Sequence, residues 1–330
     1  MALNIGEKYI IAISRHPPSV RSGALDFDGD PSGVRLLWGQ SKSMAPIISC
    51  VIPVYNDRLH LPRAIKSALD QRSDVQVVLV DDGSTDGSGE FALEMAREDR
   101  RIVALSLPTN RGQGFARNIG VAAAHAPYVT FLDQDDEHVS GWYDHAIEAL
   151  QANPQFAAVR GDIELMEVPA ELNIRQSDPR RLAMVNSTVW NMVMRKVVYH
   201  ALGGSPTAAA FRTREGAEDI AVVVALKQYF KVAMTECVAT RHYVKAGGAT
   251  AYFLRRTRLV GNSFEFTEPT TGEQTGALDR ALSEFHAEAA ANVETLRGQL
   301  KPKFAGFRAL LAGVSLRLLK KISGRQHSPL

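Results

Sequence analysis

The chain has 330 residues, 45% of them hydrophobic, enough to bury a full core as one large domain or two modest ones. A formal net charge of +2 excludes a global field that would draw it to nucleic acid. Two cysteines, Cys50 and Cys237, lie on apolar strand-like segments without CxxC or metal-type spacing, and read as buried small hydrophobes in a reducing compartment.

Residues 1–45 hold Pro17, Pro18 and several Gly and Ser with no sustained period, and are expected to form a loosely ordered extension. From residue 46 to about 150, strands and helices alternate. Residues 47–54 form a near-continuous apolar strand. Residues 61–70 read as a helix, with Pro62 in its first turn and Leu61, Ile65, Ala68 and Leu69 on one face. A strand at 75–80 precedes a helix at 90–97, whose start is marked by Asp86 and Ser88. A strand at 102–107, a helix at 114–124 and a strand at 128–132 follow, and Trp142, Ala146 and Leu150 mark another helix. Strands that do not alternate, separated by helices, predict an α/β fold with a parallel sheet covered on both faces.

After about residue 155 the rhythm loosens. Residues 156–165 read as an extended pair with a turn near Gly161 and Asp162. A strand at 188–194 and a short helix at 196–202, stopped by Gly203 and Gly204, come next. An amphipathic helix is predicted over 220–229. The apolar run 220–226 is far too short to span a bilayer, and the N-terminus lacks the apolar core of a signal peptide, so a cytoplasmic location is expected. Leu278, Leu282, Phe285, Ala289, Val293 and Leu296 recur at helical spacing and predict a long helix. Phe304, Phe307, Leu311, Val314, Leu318 and Ile322 form a second stripe with lysines and arginines around it. Two readings of that stripe are open: a basic amphipathic helix on an anionic membrane surface, or a helix packed on the rest of the protein with a solvated basic edge.

The chemistry concentrates in two acidic turns, each closing an apolar strand. One holds Asp81, Asp82 and Asp86, the other Asp133, Asp135 and Asp136. In a parallel sheet both fall at the carboxyl ends of strands, where ligands bind. Carboxylates so placed repel one another unless a cation or strong donors separate them. Their oxygens suit Mg²⁺ or Mn²⁺, which binds through one or two carboxylates together with substrate phosphates. Further on, Glu218 and Asp219 stand before the 220–229 helix. They read either as an N-terminal cap that complements the helix dipole or as the source of a general base.

Five segments occur in a characteristic order: Ser49-Cys-Val-Ile-Pro-Val-Tyr-Asn56, Val80-Asp-Asp-Gly-Ser-Thr-Asp86, Asn110-Arg-Gly-Gln-Gly-Phe-Ala-Arg-Asn118, Phe131-Leu-Asp-Gln-Asp-Asp136 and Glu218-Asp219. Together they resemble the inverting family-2 glycosyltransferases over roughly residues 46–250. The resemblance implies a GT-A type nucleotide-binding sheet flanked by helices. The domain at 46–255 would divide into a nucleotide-binding half at 46–150 and an acceptor half at 151–255, followed by a helical C-terminal extension at 256–330. It implies transfer of a sugar from a nucleotide-sugar donor to a saccharide or lipid-linked acceptor.

Carried over residue by residue, Pro53 and Tyr55 resemble the loop that packs on the nucleotide base. Asp82 resembles the carboxylate that accepts from that base, and Arg117 a basic residue near the donor diphosphate. Asp133 and Asp135 match the Asp-x-Asp signature, with Asp135 the direct metal contact, and Asp219 matches the catalytic base. A divalent ion, Mn²⁺ or Mg²⁺, is implied as cofactor. Asn56 and Asn118 are read as fixing loops. The chain departs from the family in one place. Where members often carry a histidine in a pattern like Tyr-x-x-His-x-x-Ser, this sequence has Lys245, with His242 three positions earlier. A lysine there would meet phosphate as a point charge, or His242 would supply the ligand from a shifted register. That departure keeps open a catalytically silent nucleotide-sugar-binding or scaffolding relative. Peripheral contact with the inner face of the membrane through 300–325 would fit a lipid-linked acceptor.

Overall fold

The computed structural model describes the strands at 2–4, 10–12 and 35–37, and residues 46–172, 174–212, 217–267 and 272–299. The second apolar stripe and its basic residues, on which the membrane reading rests, lie outside the described residues. Within the predicted N-terminal extension, β1 (Ala2–Asn4) and β2 (Ile10–Ala12) pair antiparallel, and β3 (Arg35–Leu37) joins the edge of the main sheet.

Residues 46–150 follow their predicted rhythm. β4 (Ile48–Val54), α1 (Leu61–Leu69), β5 (Val75–Asp81), α2 (Ser88–Glu98), β6 (Ile102–Ser106), α3 (Gln113–Ala123) and β7 (Tyr128–Phe131) succeed one another. β4 pairs parallel with both β5 and β7, and β5 with β6, so all four strands end on one side of the sheet. Every residue of β4 and β5 is buried. Their neighbours in sequence face opposite layers. Ile52, Val54, Val77 and Leu79 pack with α1, α2 and α4 (Trp142–Ala152). Val51, Val78 and Val80 pack with α3 and the helices beyond it. Two buried faces are why these strands are written as continuous apolar runs. Gly120 of α3 has no room for a side chain, because a Cβ there would run into Val51.

The sheet then becomes mixed. Two-residue β8 (Glu137–His138) closes the far edge, and β9 (Phe156–Met166), β10 (Met192–Arg195) and β11 (Lys231–Tyr243) complete the order β3-β6-β5-β4-β7-β10-β9-β11-β8. β10 runs antiparallel between β7 and β9, and β9 lies parallel to β11. The turn expected at Gly161 and Asp162 does not form, because β9 continues straight through it. The glycine instead admits the neighbouring strand: a Cβ there would lie 2.7 Å from Ala239 Cβ and from the Cys237 carbonyl.

Residues 165–187 include α5 (Pro179–Ser187), which Asp178 caps by accepting from the Arg180 N–H. Pro179 opens this helix, where its missing N–H costs nothing. α6 (Lys196–Ala201) stops before Gly203 and Gly204, both left-handed at φ +86. α7 (Glu218–Tyr229) is less amphipathic than expected. Most of its apolar residues are buried between layers, yet Ile220 and Val224 are exposed. Beyond it stand α8 (Ala249–Arg255) and the hairpin of β12 (Thr257–Val260) and β13 (Ser263–Phe266). The predicted long helix is α9 (Gly272–Gln299). It lays Ala281, Phe285, Ala289 and Val293 against α6 and α7 as one more layer over the core.

Candidate active site

Three loops meet where β4, β5 and β7 end. β6 and β7 lie on opposite sides of the β5–β4 pair, so the chain crosses over between them and opens a crevice at the strand ends. A cleft of about 250 Å³ occupies that crevice, lined by Pro53, Val54, Tyr55, Asp82, Asn110, Gln113, Asp133, Gln134 and Asp135. The expected donor residues Pro53, Tyr55, Asp82, Asp133 and Asp135 thus share one wall system. Tyr55 leaves 45% of its surface in solvent.

The loops hold one another through side chain to backbone bonds. The Gln134 amide both accepts from the Tyr55 N–H at 2.8 Å and donates to the Tyr55 carbonyl at 2.9 Å. Asn56, left-handed at φ +49, accepts from the Thr85 N–H at 2.8 Å and donates its own N–H to Ser84 Oγ at 3.0 Å. Asn118 likewise joins α3 to Ser205 and Tyr199. Both asparagines fix loops. Asp81 and Asp86 are also structural: Asp81 accepts from the Ser84 N–H and the Ser106 hydroxyl, and Asp86 from Ser88 and the Arg58 N–H.

Asp82 is buried, and its two oxygens accept from the backbone N–H groups of Arg111 at 2.7 Å and Gly112 at 2.8 Å. Burial raises its pKa above the usual carboxylate range, against the pull of those two donors and of Arg212. Each oxygen keeps a further lone pair for a ligand donor.

Across the cleft the order is set by one cation. Arg117, on α3 and 1% exposed, pairs with Asp219 through Nη1 and with Asp133 through Nη2 at 3.2 Å. Burial works against its charge, but Asp219 and Asp133 outweigh that and hold the guanidinium protonated. Asp133 also accepts from Gln113 Nε2 at 2.6 Å. Burial, reinforced by Asp136, Asp219 and Asp135 and opposed by Arg117, pushes the Asp133 carboxyl up to about 7.

Asp219 sits in the first turn of α7 but caps nothing, since Ala217 is at the cap and makes no side-chain bond there. Its second oxygen accepts from the Val189 N–H at 3.2 Å. That N–H is placed by buried Arg160, which donates to the Thr188 carbonyl and to Asn191 Oδ1, each at 2.9 Å. The capping hydrogen bond does not form, although Glu218 and Asp219 both lie in the first turn, where they complement the helix dipole. The carboxylate faces across the site and not along its helix.

His242, the alternative metal ligand of the sequence, sits behind the acidic turn. Its Nδ1 lies 2.7 Å from Asp136 Oδ2 and its Nε2 2.7 Å from Thr250 Oγ1, while its ring stacks on Trp190 with centroids 5.0 Å apart. Burial lowers its pKa, but Asp136 more than compensates and carries it to about 9. Both of its ring nitrogens are thus engaged, by Asp136 and by Thr250.

Lys245 stands nearer the acids. Its Nζ is 2.5 Å from Asp57 Oδ2 and 2.9 Å from Asp135 Oδ2, and Arg63 donates to the Asp135 carbonyl at 2.5 Å. Among the described residues, no three His, Cys, Asp or Glu side chains converge as a cage for a metal. Asp135, on the cleft wall with Asp133 beside it, still suits a divalent ion whose remaining ligands come from substrate phosphates and water.

Sequence reasoning overlooked Gln134, Gln113 and Asp57. Gln134 and Asp57 lie inside or beside quoted motifs, and the signal available was polarity within a loop that has no period.

Known proteins extend this picture. An uncharacterized glycosyltransferase of Haemophilus influenzae is 44% identical over 92 residues, covering 28% of this chain and 37% of that protein. The succinoglycan biosynthesis protein ExoO of Rhizobium meliloti is 42% identical over 92 residues, 28% of this chain and 26% of that protein. The chain spans about a third of the length of the curated relatives it matches. The crystal structure of S. aureus TarS in complex with UDP-GlcNAc superposes with a TM-score of 0.54 at 17% identity, covering 82% of this chain and 76% of that one. At that identity the likeness is one of fold, and the fold is of the GT-A type. The four motifs around the cleft, and Asp219 tethered to them by Arg117, all fall within residues 49–219. That segment, just over half of the chain, matches the family model for glycosyl transferase family 2, and the chain belongs to that family.

Proposed function

We propose that this protein is a glycosyltransferase that moves a sugar from a nucleotide-sugar donor to a saccharide or lipid-linked acceptor, with inversion at the anomeric carbon. The observation that carries the reading is a single cleft walled by Tyr55, Asp82, Asp133 and Asp135, with Arg117 linking Asp133 to Asp219. The half-exposed ring of Tyr55 gives the nucleobase a face to stack on. Asp82, already oriented by two backbone N–H groups, accepts from the base edge. Asp135, with Asp133, would hold Mg²⁺ or Mn²⁺. When bound, that ion supplies positive charge to the leaving diphosphate as the glycosidic bond breaks.

Asp219 takes the proton from the acceptor hydroxyl, which is a poor nucleophile until it does so. Arg117 fixes the direction of Asp219, and the Val189 N–H sets the rotation of the carboxylate. Attack from the face opposite the diphosphate inverts the centre in one displacement. The name of the succinoglycan relative supports a surface polysaccharide as the acceptor class. No helix among the described residues is long and apolar enough to cross a membrane. We place the protein in the cytoplasm, with membrane contact through 300–325 resting on the sequence stripe alone.

The test is transfer from a panel of donors that includes UDP-GlcNAc, with Mn²⁺ present, by the native protein and by Asp219→Ala. Loss of a general base predicts a fall of about 10²–10⁴-fold in turnover. Equal rates would remove Asp219 from the role of base. No transfer from any donor, with nucleotide still bound, would favour a silent binding relative.

A further inference from the structure

We propose that Lys245 is a resident cation of the donor site, competing with a divalent ion for Asp135 and taking up part of the donor diphosphate's charge. The inference rests on the donor-site reading above and names a device within it. Lys245 follows β11, and its backbone is fixed on both sides. The Val244 N–H donates to the Met166 carbonyl at 3.0 Å, the Val244 side chain is buried, and the Gly248 N–H closes a tight turn on the Lys245 carbonyl at 2.9 Å. The side chain leaves 42% of its surface in solvent, while Asp57 and Asp135 leave 10% and 23%. A fixed root therefore carries a partly exposed ammonium to two less exposed carboxylates.

An ammonium has three donors. Among the described residues two are used, by Asp57 and Asp135, which leaves a third for a phosphate oxygen. Asp135 lines the cleft, so the cation lies where the diphosphate would arrive. The pair of acids also needs it. Burial would raise the Asp57 pKa, but Lys245 and His60 outweigh burial and hold that carboxyl below its usual range. Burial would lower the pKa of Lys245, and Asp135 and Asp57 reverse this. A divalent ion approaching Asp135 meets a positive charge within hydrogen-bond distance of the oxygen it would take. It must displace the lysine or bind against its repulsion. A diphosphate meets attraction from the same group. Lys245 thus acts in opposite directions on the two ligands.

That opposition is the test. Binding of UDP, GDP and dTDP in EDTA is measured by calorimetry, and binding of Mn²⁺ alone by electron paramagnetic resonance, for the native protein, Lys245→Ala and Lys245→Arg. Far-UV circular dichroism checks folding. The proposal expects Lys245→Ala to weaken metal-free nucleotide binding at least 10-fold and to strengthen Mn²⁺ binding several-fold, with Lys245→Arg close to native in both. A merely structural lysine would lower both affinities or neither, and either result overturns the proposal while leaving the donor site intact. If none of the three nucleotides binds the native protein with or without Mn²⁺, the donor-site reading falls and takes this inference with it.

Discussion

Asp82 lines the cleft and Asp219 is joined to its wall through Arg117, and the two are held in unlike ways. Asp82 is gripped by backbone: the N–H groups of Arg111 and Gly112 reach it from the loop after β6, the neighbour of its own strand. Asp219 depends on a side chain, the buried guanidinium of Arg117, which comes from a helix 102 positions earlier and serves Asp133 as well. Backbone donors persist whatever side chains surround them. A guanidinium shared by two acids is a single point of failure, because its removal leaves two carboxylates facing each other without a counter-charge. The surroundings of Asp82 should therefore tolerate substitution better than those of Asp219.

Arg117→Met is the strongest way to probe that contrast. It should destabilise the fold by about 3–5 kcal/mol in urea unfolding, as breaking a buried ion pair from one side does. A loss below about 1 kcal/mol would mean that water or a neighbour already neutralises Asp133 and Asp219, and the asymmetry would vanish.

A second side-chain dependency is the pair of His242 and Asp136. The folded-state pKa of His242, near 9, lies above its ordinary value of 6.5. Its contribution is thus fully present below about pH 6.5 and is lost as pH rises through about 9. Stability measured by denaturant titration should fall by on the order of 1–3 kcal/mol between pH 6.5 and 10. His242→Gln should lack most of that slope. A native protein as pH-independent as the variant over this range would show the pair to be neutral.

The smallest effect is expected around Asp82. Asp82→Asn keeps one acceptor oxygen but turns an NH₂ toward a backbone N–H, which should cost about 1 kcal/mol of stability. A cost as large as that for Arg117→Met would reverse the comparison.

The positions of the acids were legible in the sequence because a strand buried on both faces is a continuous apolar run, and the first carboxylate after it marks the carboxyl end. The acidic pair Asp81 and Asp82, and Asp133, thus read as strand-end residues from the sequence alone. The same periodicity gave α9 its buried stripe of Phe285, Ala289 and Val293. It failed at Gly161, where composition indicated a turn but the close approach of β11 required a residue without a side chain.

Only the tertiary structure decided who pairs with whom. Gln134 reaches Tyr55 across 79 positions, Arg117 reaches Asp219 across 102, and Lys245 reaches Asp57 across 188. It also set His242 against Asp136 and Thr250, a fate its place beside the motif did not reveal. Local order along a chain records which face of a strand or helix is apolar, since burial acts on each residue separately. It carries no record of which distant strand becomes a neighbour, and charge pairing between loops is settled by that order alone.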